Sequence, residues 1–375
     1  MSLAEKALSE ALHKREEQGA LRKLSLVNKG VDFCSNDYLG FARSEALHKM
    51  ILKEEAKAGI HNGSGGSRLL TGNSVAVEKL EELVAHMHKV PAALLFNSGY
   101  DANIGLFSSV PGKDDTIIYD ELVHASIHDG IRLSRAQSFP FRHNDLTHLR
   151  ERINTAKGNV FATIESIYSM DGDIAPLKEI ADLCSSLNAN LIVDEAHATG
   201  VFNMGLVQQS HLEDKVFARI HTFGKALGCH GAIVAGSKTL KEYLINYARS
   251  FIYTTALPMH SIISIECAYR LLEQSKGTVK KLHEIIQYFR QKAYNQKNTK
   301  GKWIDSSSSI QSLVVPGNTN VKKLALAIQQ YDMDVRPIMS PTVPRGKERI
   351  RICLHSYNTT KEIDKLLDII NREIA

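Results

Sequence analysis

The sequence has no C-x-x-C pair, no apolar run near the length of a bilayer span, no internal repeat and no low-complexity segment. Its five cysteines (Cys34, Cys184, Cys229, Cys267, Cys353) are odd in number and widely scattered. That spacing excludes a disulfide framework or a zinc knuckle and reads as reduced thiols in a cytoplasmic protein. Without a long apolar segment no spanning helix is expected, and hence no membrane partner. Met1 to about Leu24 carries acidic residues from Glu5 onward and lacks the apolar core of a signal peptide. Charge of one sign is also scarce. The net +5 is spread among interleaved acidic and basic residues, so no basic stripe argues for nucleic acid, and anionic small substrates fit at least as well. Two nucleotide-loop patterns are missing as well. His61 to Asn73, HNGSGGSRLLTGN, is the most glycine-dense stretch, yet it is not G-x-x-x-x-G-K-[ST] and lacks the third glycine of G-x-G-x-x-G. Its glycines suit close approach of the backbone to a ligand or a partner chain.

What is present is the composition of a folded enzyme, 43% hydrophobic and 23% charged, in a chain of 375 residues that allows two domains. Leu3, Ala7, Leu8, Ala11 and Leu12 recur at helical spacing and predict an opening amphipathic helix, followed by a strand-like Val31-Asp32-Phe33-Cys34. Apolar strand signals then alternate with helical ones. Strands are expected at Ala92–Phe96, Thr116–Tyr119, Val160–Glu165, Leu191–Asp194 and Ile220–Phe223, with helices near 74–88, from Ser126, and near 176–187. Such alternation implies an α/β domain with a mostly parallel sheet, whose ligands sit beyond the carboxyl ends of the strands. Long helices over 259–275 and 277–296 and a lysine-rich loop, Gln291 to Lys302, lead to a last α+β unit. The expected division is an N-terminal helix and arm (1–40), a large domain (41–275) and a small C-terminal domain (276–375). In the last of these, Arg349-Ile350-Arg351-Ile352 alternates as a strand does, so one face is expected to offer two cations to an anion.

The chemistry-bearing residues gather at strand ends. Ser98, His124, Ser166, Asp194, Thr222 and Lys225 all fall at or just after one. Lys225 stands in Thr222-Phe223-Gly224-Lys225-Ala226-Leu227-Gly228, where a partly desolvated amine loses pKa and can form a Schiff base with a carbonyl. Asp194 ends a buried strand. An acid there and a lysine in a following loop are two parts of a pyridoxal phosphate (PLP) site. Strand, small polar turn and helix at Ala92–Asn103 suit a phosphate on free backbone N–H groups, although a plain N-cap at Ser98 explains the same residues. Two rival readings are weaker. Asp194-Glu195-Ala196-His197 spells a DEAH box, but an ATPase would need the missing phosphate loop. His124 and His128 stand four apart, but no H-E-x-x-H or third ligand at a fixed spacing accompanies them, so no metal is expected.

Eight motifs in one order carry a resemblance: SNDYLG at 35–40, GSGGSRLLTGN at 63–73, NSGYDAN at 97–103, HASIHDG at 124–130, ESIYSMDGDIAPL at 165–177, VDEAHATGV at 193–201, TFGKALG at 222–228 and PTVPRGKERIRI at 341–352. Over about residues 20–360 the chain resembles the α-oxoamine synthases, PLP enzymes of the aspartate aminotransferase fold (fold type I). The resemblance implies an acyltransferase in which Lys225 holds PLP. Asp194 would pair with the pyridine nitrogen, His197 approach the phenolic oxygen with Ser166 nearby, and His124 stack on the ring. Ser98, Gly99, Tyr100 and Thr222 would bind the phosphate. The family's site lies between two subunits, which implies a homodimer in which Thr254 and Thr255 reach the partner's phosphate. Arg351 with Asn36 matches the clamp on the amino-acid carboxylate, and Arg22 a position associated with the far carboxylate of the acyl chain. Asn97 and Met259 depart from the family pattern, which leaves the shape of the phosphate turn and the interface segment open.

The resemblance implies a decarboxylative condensation of an amino acid with an acyl thioester. The short amino terminus with Ala20-Leu21-Arg22 and the run Ser340-Pro341-Thr342-Val343-Pro344 favour L-alanine with pimeloyl-CoA or a pimeloyl carrier protein, the biotin-pathway reaction. Glycine with acetyl- or succinyl-CoA, or serine with palmitoyl-CoA, are the alternatives within the family.

Overall fold

The computed structural model describes residues 1–24, 30–59, 62–295 and 301–374. Part of the lysine-rich tract (296–300) and His61 of the glycine-rich stretch lie outside the described residues. The chain divides into a larger unit, Asn36–Ser169 with Ile174–Lys281, and a smaller one, Met1–Ser35 with Met170–Asp173 and Leu282–Ala375. Helix α1 (Leu3–Glu17) opens the smaller unit with a capping box: the Ser2 hydroxyl accepts from Glu5 N, and Ser2 N donates to the Glu5 carboxylate.

The larger unit is built on a seven-stranded sheet, β1 (Ala92–Phe96), β2 (Thr116–Asp120), β3 (Gln137–Phe141), β4 (Val160–Glu165), β5 (Asn190–Asp194), β6 (Ala218–Thr222) and β7 (Ala232–Gly236). Its spatial order is β1-β7-β6-β5-β4-β2-β3. Strands β2 to β6 pair in parallel, and β7 runs antiparallel to both β6 and β1. Strand and turn residues explain the register. Consecutive side chains of a strand point to opposite faces, and Leu191 and Val193 enter one core with Ile118, Ala162 and Ile164, whereas Ile192 enters the other with Ile117, Phe161 and Ile220. Both faces are therefore apolar and covered, as a parallel sheet requires. One cover includes α6 (Leu146–Thr155) and α7 (Leu177–Ser186). The other includes α4 (Gly99–Ser109), α5 (Ala125–Leu133) and α8 (Lys238–Tyr247). Helices α2 (Glu45–Ala58), α3 (Val75–Met87) and α9 (Met259–Gln274) also belong to the unit, with short helical turns at Leu206–Gln209 and Arg249–Ile252, and α10 (Lys276–Tyr294) carries the chain across the boundary at Leu282. The α/β class and mostly parallel sheet expected from the sequence are present. Strands β3 and β7 were not anticipated, and α10 matches the helix expected over 277–296, so the lysine-rich loop begins later than Gln291.

The smaller unit holds an antiparallel sheet of order β10-β11-β9-β8, formed by β8 (Lys302–Trp303), β9 (Ile310–Val314), β10 (Arg336–Ile338) and β11 (Arg349–Cys353), with α11 (Asn318–Gln329) and α12 (Thr360–Ile374). The expected strand at 31–34 is reduced to Val31–Asp32, paired in parallel with Met333–Asp334. The two-cation face of β11 is also corrected. Arg349 is 4% exposed and forms an ion pair with Asp171, so it is committed within the fold, whereas half-buried Arg351 donates to Cys353 Sγ at 3.0 Å. Among the described residues no helix is long and apolar enough to cross a membrane.

A polar layer lies fully buried in the larger unit. His88 Nε2 and the Tyr269 hydroxyl are 2.7 Å apart, and the His88 and His221 rings lie with centroids 4.0 Å apart. Arg219 donates to the His88 carbonyl, and Glu195 Oε1 accepts from Leu206 N and Val207 N. Burial, reinforced by Arg219, pulls His88 down to about 3. Burial, with His88 and Arg219 adding to it, holds His221 well below the imidazole range. Burial likewise raises Glu195 to about 7 against the pull of Arg219 and two backbone donors. Both histidines are thus neutral when folded but protonated when unfolded below pH ~6.5, so they lower stability as pH falls. Glu195, and Glu165 with it, act oppositely above pH ~4.5, where only the unfolded chain has released the proton. The expected profile is nearly flat between pH ~6.5 and ~4.5 and steep below. The two histidines contribute about 2.7 kcal/mol per pH unit there, down to the folded pKa of His88. Urea midpoints across this range check it; an acid limb no steeper than the plateau would contradict neutral buried histidines.

Candidate active site

The carboxyl ends of β1, β2, β4, β5 and β6 deliver side chains to one cavity of about 140 Å³, lined by Gly99, Tyr100, Asn103, His124, Ser126, Glu165, Asp194, Ala196, Ile220, Thr222 and Lys225. Each gets there by local chemistry. The turn after β1 ends in Ser98, whose hydroxyl accepts from Asp101 N and so starts α4. The N–H groups of Gly99 and Tyr100, in the first turn of that helix, have no intrahelical acceptor and form the positive end of its dipole. A Cβ on Gly99 would lie 3.4 Å from Thr222 Cβ, in ordinary contact, so the two walls of the cavity are close here. Asn97 Nδ2 donates to Thr254 Oγ1 and to the Thr255 carbonyl at 3.0 and 2.8 Å, which ties the turn to the 254–255 segment of the same chain.

Lys225 sits in the loop between β6 and β7. Phe223 N donates to the Gly231 carbonyl and Cys229 N to the Phe223 carbonyl, closing the loop's neck, while Gly228 N donates to the Lys225 carbonyl. Gly228 has φ +63, and a Cβ there would lie 2.2 Å from Ala42 N. Gly224 meets nothing closer than 3.5 Å, so of the two flanking glycines only Gly228 is demanded sterically. Lys225 Nζ lies 2.7 Å from His197 Nε2, and His197 Nδ1 lies 2.8 Å from the Tyr38 hydroxyl.

A second chain of hydrogen bonds supports the acid. Asp194 Oδ1 accepts from Ala196 N, and Oδ2 accepts from Asn103 Nδ2, which also donates to Ser126 Oγ. Ser126 Oγ is 2.8 Å from His124 Nδ1, and Ser126 N donates to the same nitrogen. That backbone donor leaves His124 unprotonated at Nδ1. Burial, with Lys225 acting the same way and Asp194 opposing, holds its pKa below the ordinary imidazole value. Burial and the neighbouring Asp194 charge hold Glu165 well above the carboxylate range, so it is a neutral acid. Its Oε1 and the Asn103 Oδ1 are buried without a partner. An amine, a hydrogen-bonded aspartate, a neutral imidazole and a helix amino terminus around one small cavity suit a flat, phosphorylated carbonyl compound.

Residues 28–370 match the family described as aminotransferase class I and II. The chain belongs to that family. Within it the chain is an α-oxoamine synthase. It is 45% identical to 8-amino-7-oxononanoate synthase of Emericella nidulans, over 97% of this chain and 94% of that protein. It is 35% identical to the aminoacyl transferase sphA of Byssochlamys spectabilis, over 91% and 80%. A crystal structure of 8-amino-7-oxononanoate synthase from Francisella tularensis superposes with a TM-score of 0.79 at 29% identity, covering 92% of this chain and 98% of that one.

Of the residues expected from the motifs of this α-oxoamine synthase, Gly99, Tyr100, His124, Asp194, Thr222 and Lys225 line the cavity, and His197 joins them through Lys225. Ser98 caps the adjoining helix, and the Tyr100 hydroxyl donates to Asp129. Ser166 is fully buried, its hydroxyl donating to the Asp194 carbonyl at 3.4 Å. Asn36 accepts from Tyr38. Arg22 and Arg351 belong to the smaller unit, where Arg22 donates to Thr342 Oγ1. Tyr38, Asn103, Ser126 and Glu165 were not singled out from the sequence. Asn103 and Ser126 carry one usable signal, polar residues at helix positions that the strand-end pattern turns inward.

Replacing Gly228 by Ala should cost about 2 kcal/mol or more, from the left-handed backbone and the contact with Ala42. Gly224→Ala should stay within about 0.5 kcal/mol. Thermal midpoints of the two variants check the contrast, and equal losses would contradict it.

Proposed function

We propose that the chain condenses L-alanine with a pimeloyl thioester to give 8-amino-7-oxononanoate, with loss of carbon dioxide and release of the thiol, using pyridoxal phosphate held at the cavity of Lys225. The observation that carries the substrate choice is the 45% identity to a synthase of that name over nearly the whole of both chains. The fit of the cofactor rests on the donor set: the Lys225 amine for its aldehyde, Asp194 for its ring nitrogen, and the Gly99 and Tyr100 N–H groups with Thr222 for its phosphate. Bound there, pyridoxal phosphate supplies an electron sink for charge developing at the amino acid's α-carbon.

The protein's own groups do the rest. Asn103 and Ala196 donate to the two oxygens of Asp194 and so hold its carboxylate in the orientation that the ring nitrogen requires. Lys225, once its amine is free and neutral, takes the α-proton and later returns one. Neutral His124 offers an uncharged ring face, so it does not compete with Arg351 for the substrate carboxylate. The motif match assigns that carboxylate to Arg351 and Asn36, and the far carboxylate of the acyl chain to Arg22. A homodimer is part of this reading, with Thr254 and Thr255 assigned to the phosphate of a second copy's cofactor.

Lys225→Ala should lose the cofactor adduct fixed by borohydride and drop turnover on the order of 10³-fold or more; native-rate product from this variant would refute the assignment. Arg351→Ala should raise the alanine KM by at least about tenfold while the cofactor stays bound. Pairing alanine, glycine and serine with pimeloyl, acetyl, succinyl and palmitoyl thioesters tests the substrate. Faster turnover of glycine with acetyl-CoA, or of serine with palmitoyl-CoA, would overturn the choice of alanine.

A further inference from the structure

Tyr38 is completely buried, and its phenol lies between two polar partners in the larger unit: it donates to Asn36 Oδ1 at 3.0 Å and lies 2.8 Å from His197 Nδ1. A phenol has a single proton. With that proton on Asn36, the Tyr38 oxygen can only accept from His197, so Nδ1 must carry hydrogen. His197 Nε2 is then the nitrogen left with a lone pair, and it is the one 2.7 Å from Lys225 Nζ. His197 is itself buried, and its ring is tilted 48° to that of Tyr38 with centroids 6.1 Å apart, so the contact is edge-on through the hydroxyl and not a stack.

We propose that Tyr38 is a positioning residue for the Lys225 site: it fixes His197 in the Nδ1–H form and aims the bare Nε2 at the lysine amine. This deepens the cofactor assignment above and rests on it for its meaning. Lys225 donates an N–H to Nε2. When the amine passes a proton along this contact, the N–H bond at Nζ breaks and one forms at Nε2. The positive charge moves from ammonium to imidazolium, and Tyr38 continues to accept from Nδ1 throughout. Because both the neutral Nδ1–H form and the imidazolium use the Tyr38 oxygen, that oxygen also makes His197 more basic than it would be without an acceptor.

The test reads the tautomer directly. Full-length protein with isotope-labelled histidine side chains, without added cofactor, is examined by two-bond proton–nitrogen correlation across pH. The expected wild-type pattern for His197 is a protonated Nδ1 and a bare Nε2 at neutral pH. Tyr38→Phe should shift the neutral ring toward the Nε2–H form and lower its titration midpoint by roughly 0.5–1 pH unit, the loss of one hydrogen bond to the charged form. Asn36→Ala should turn the phenol proton to Nδ1 and give the Nε2–H form outright, which keeps the test decisive if Tyr38→Phe fails to fold. A wild-type ring protonated at Nε2, or variants indistinguishable from wild type, would overturn the proposal. Failure of Lys225 to hold the cofactor would appear in the borohydride experiment and leave these spectra unchanged, so the two ideas fail separately.

Discussion

The close approach of Gly228 to the Phe41–Ala42 backbone is the constraint on which the site depends. A residue with no side chain at Gly228 lets the lysine turn lie flat against the segment that follows Asn36 and Tyr38. From that contact the chain Asn36, Tyr38, His197, Lys225 can be assembled, each link within 3.0 Å. Moving the turn outward by the width of a methyl group would pull the amine off the imidazole. The backbone contact, made by groups that take no part in chemistry, therefore sets the precision of groups that do.

The electrostatic design of the cavity is one of restraint. Four ionisable groups converge with Lys225, and two of them, His124 and Glu165, are kept neutral chiefly by burial, against the pull of Asp194 on the imidazole and of Lys225 on the carboxyl. Asp194 faces the cavity supported by a side-chain amide and a backbone N–H, and a neutral Glu165 avoids the repulsion that a second charged carboxylate nearby would cause. The same polar habit continues beneath the sheet. There burial keeps His88 and His221 neutral and raises Glu195 to about 7 beside Arg219, one of whose donors is taken by the His88 carbonyl.

Much of the larger unit was legible because its strands are short apolar runs bounded by turn residues. β1 and β4 fall at Ala92–Phe96 and Val160–Glu165, as their residues foretell. β3 was hidden because an edge strand is largely exposed and tolerates Pro140, and β7 because Ala232-Ile233-Val234-Ala235-Gly236 is a run of mostly small residues without a distinctive period. At the site, Lys225 and Asp194 were legible from position alone, whereas Asn103 and Tyr38 act through partners far away in sequence that periodicity does not identify. Arg349 illustrates the opposite failure. Alternation correctly gives its face but is silent about Asp171, which occupies it.

One consequence follows from the antiparallel strand. Because β7 returns directly beside β6, the lysine lies in the link of a hairpin, whereas Asp194 ends β5 and His124 lies in the link from β2 to α5, both in the parallel core. A hairpin closes between sequence neighbours, the contact class with the smallest loop entropy, while parallel strands must wait for a crossover helix to bring them together. The nucleophile is thus placed by short-range pairing, and its acid and imidazole neighbours by long-range pairing. The same site is built from two contact orders, and chain additions or deletions near it should disturb its halves unequally.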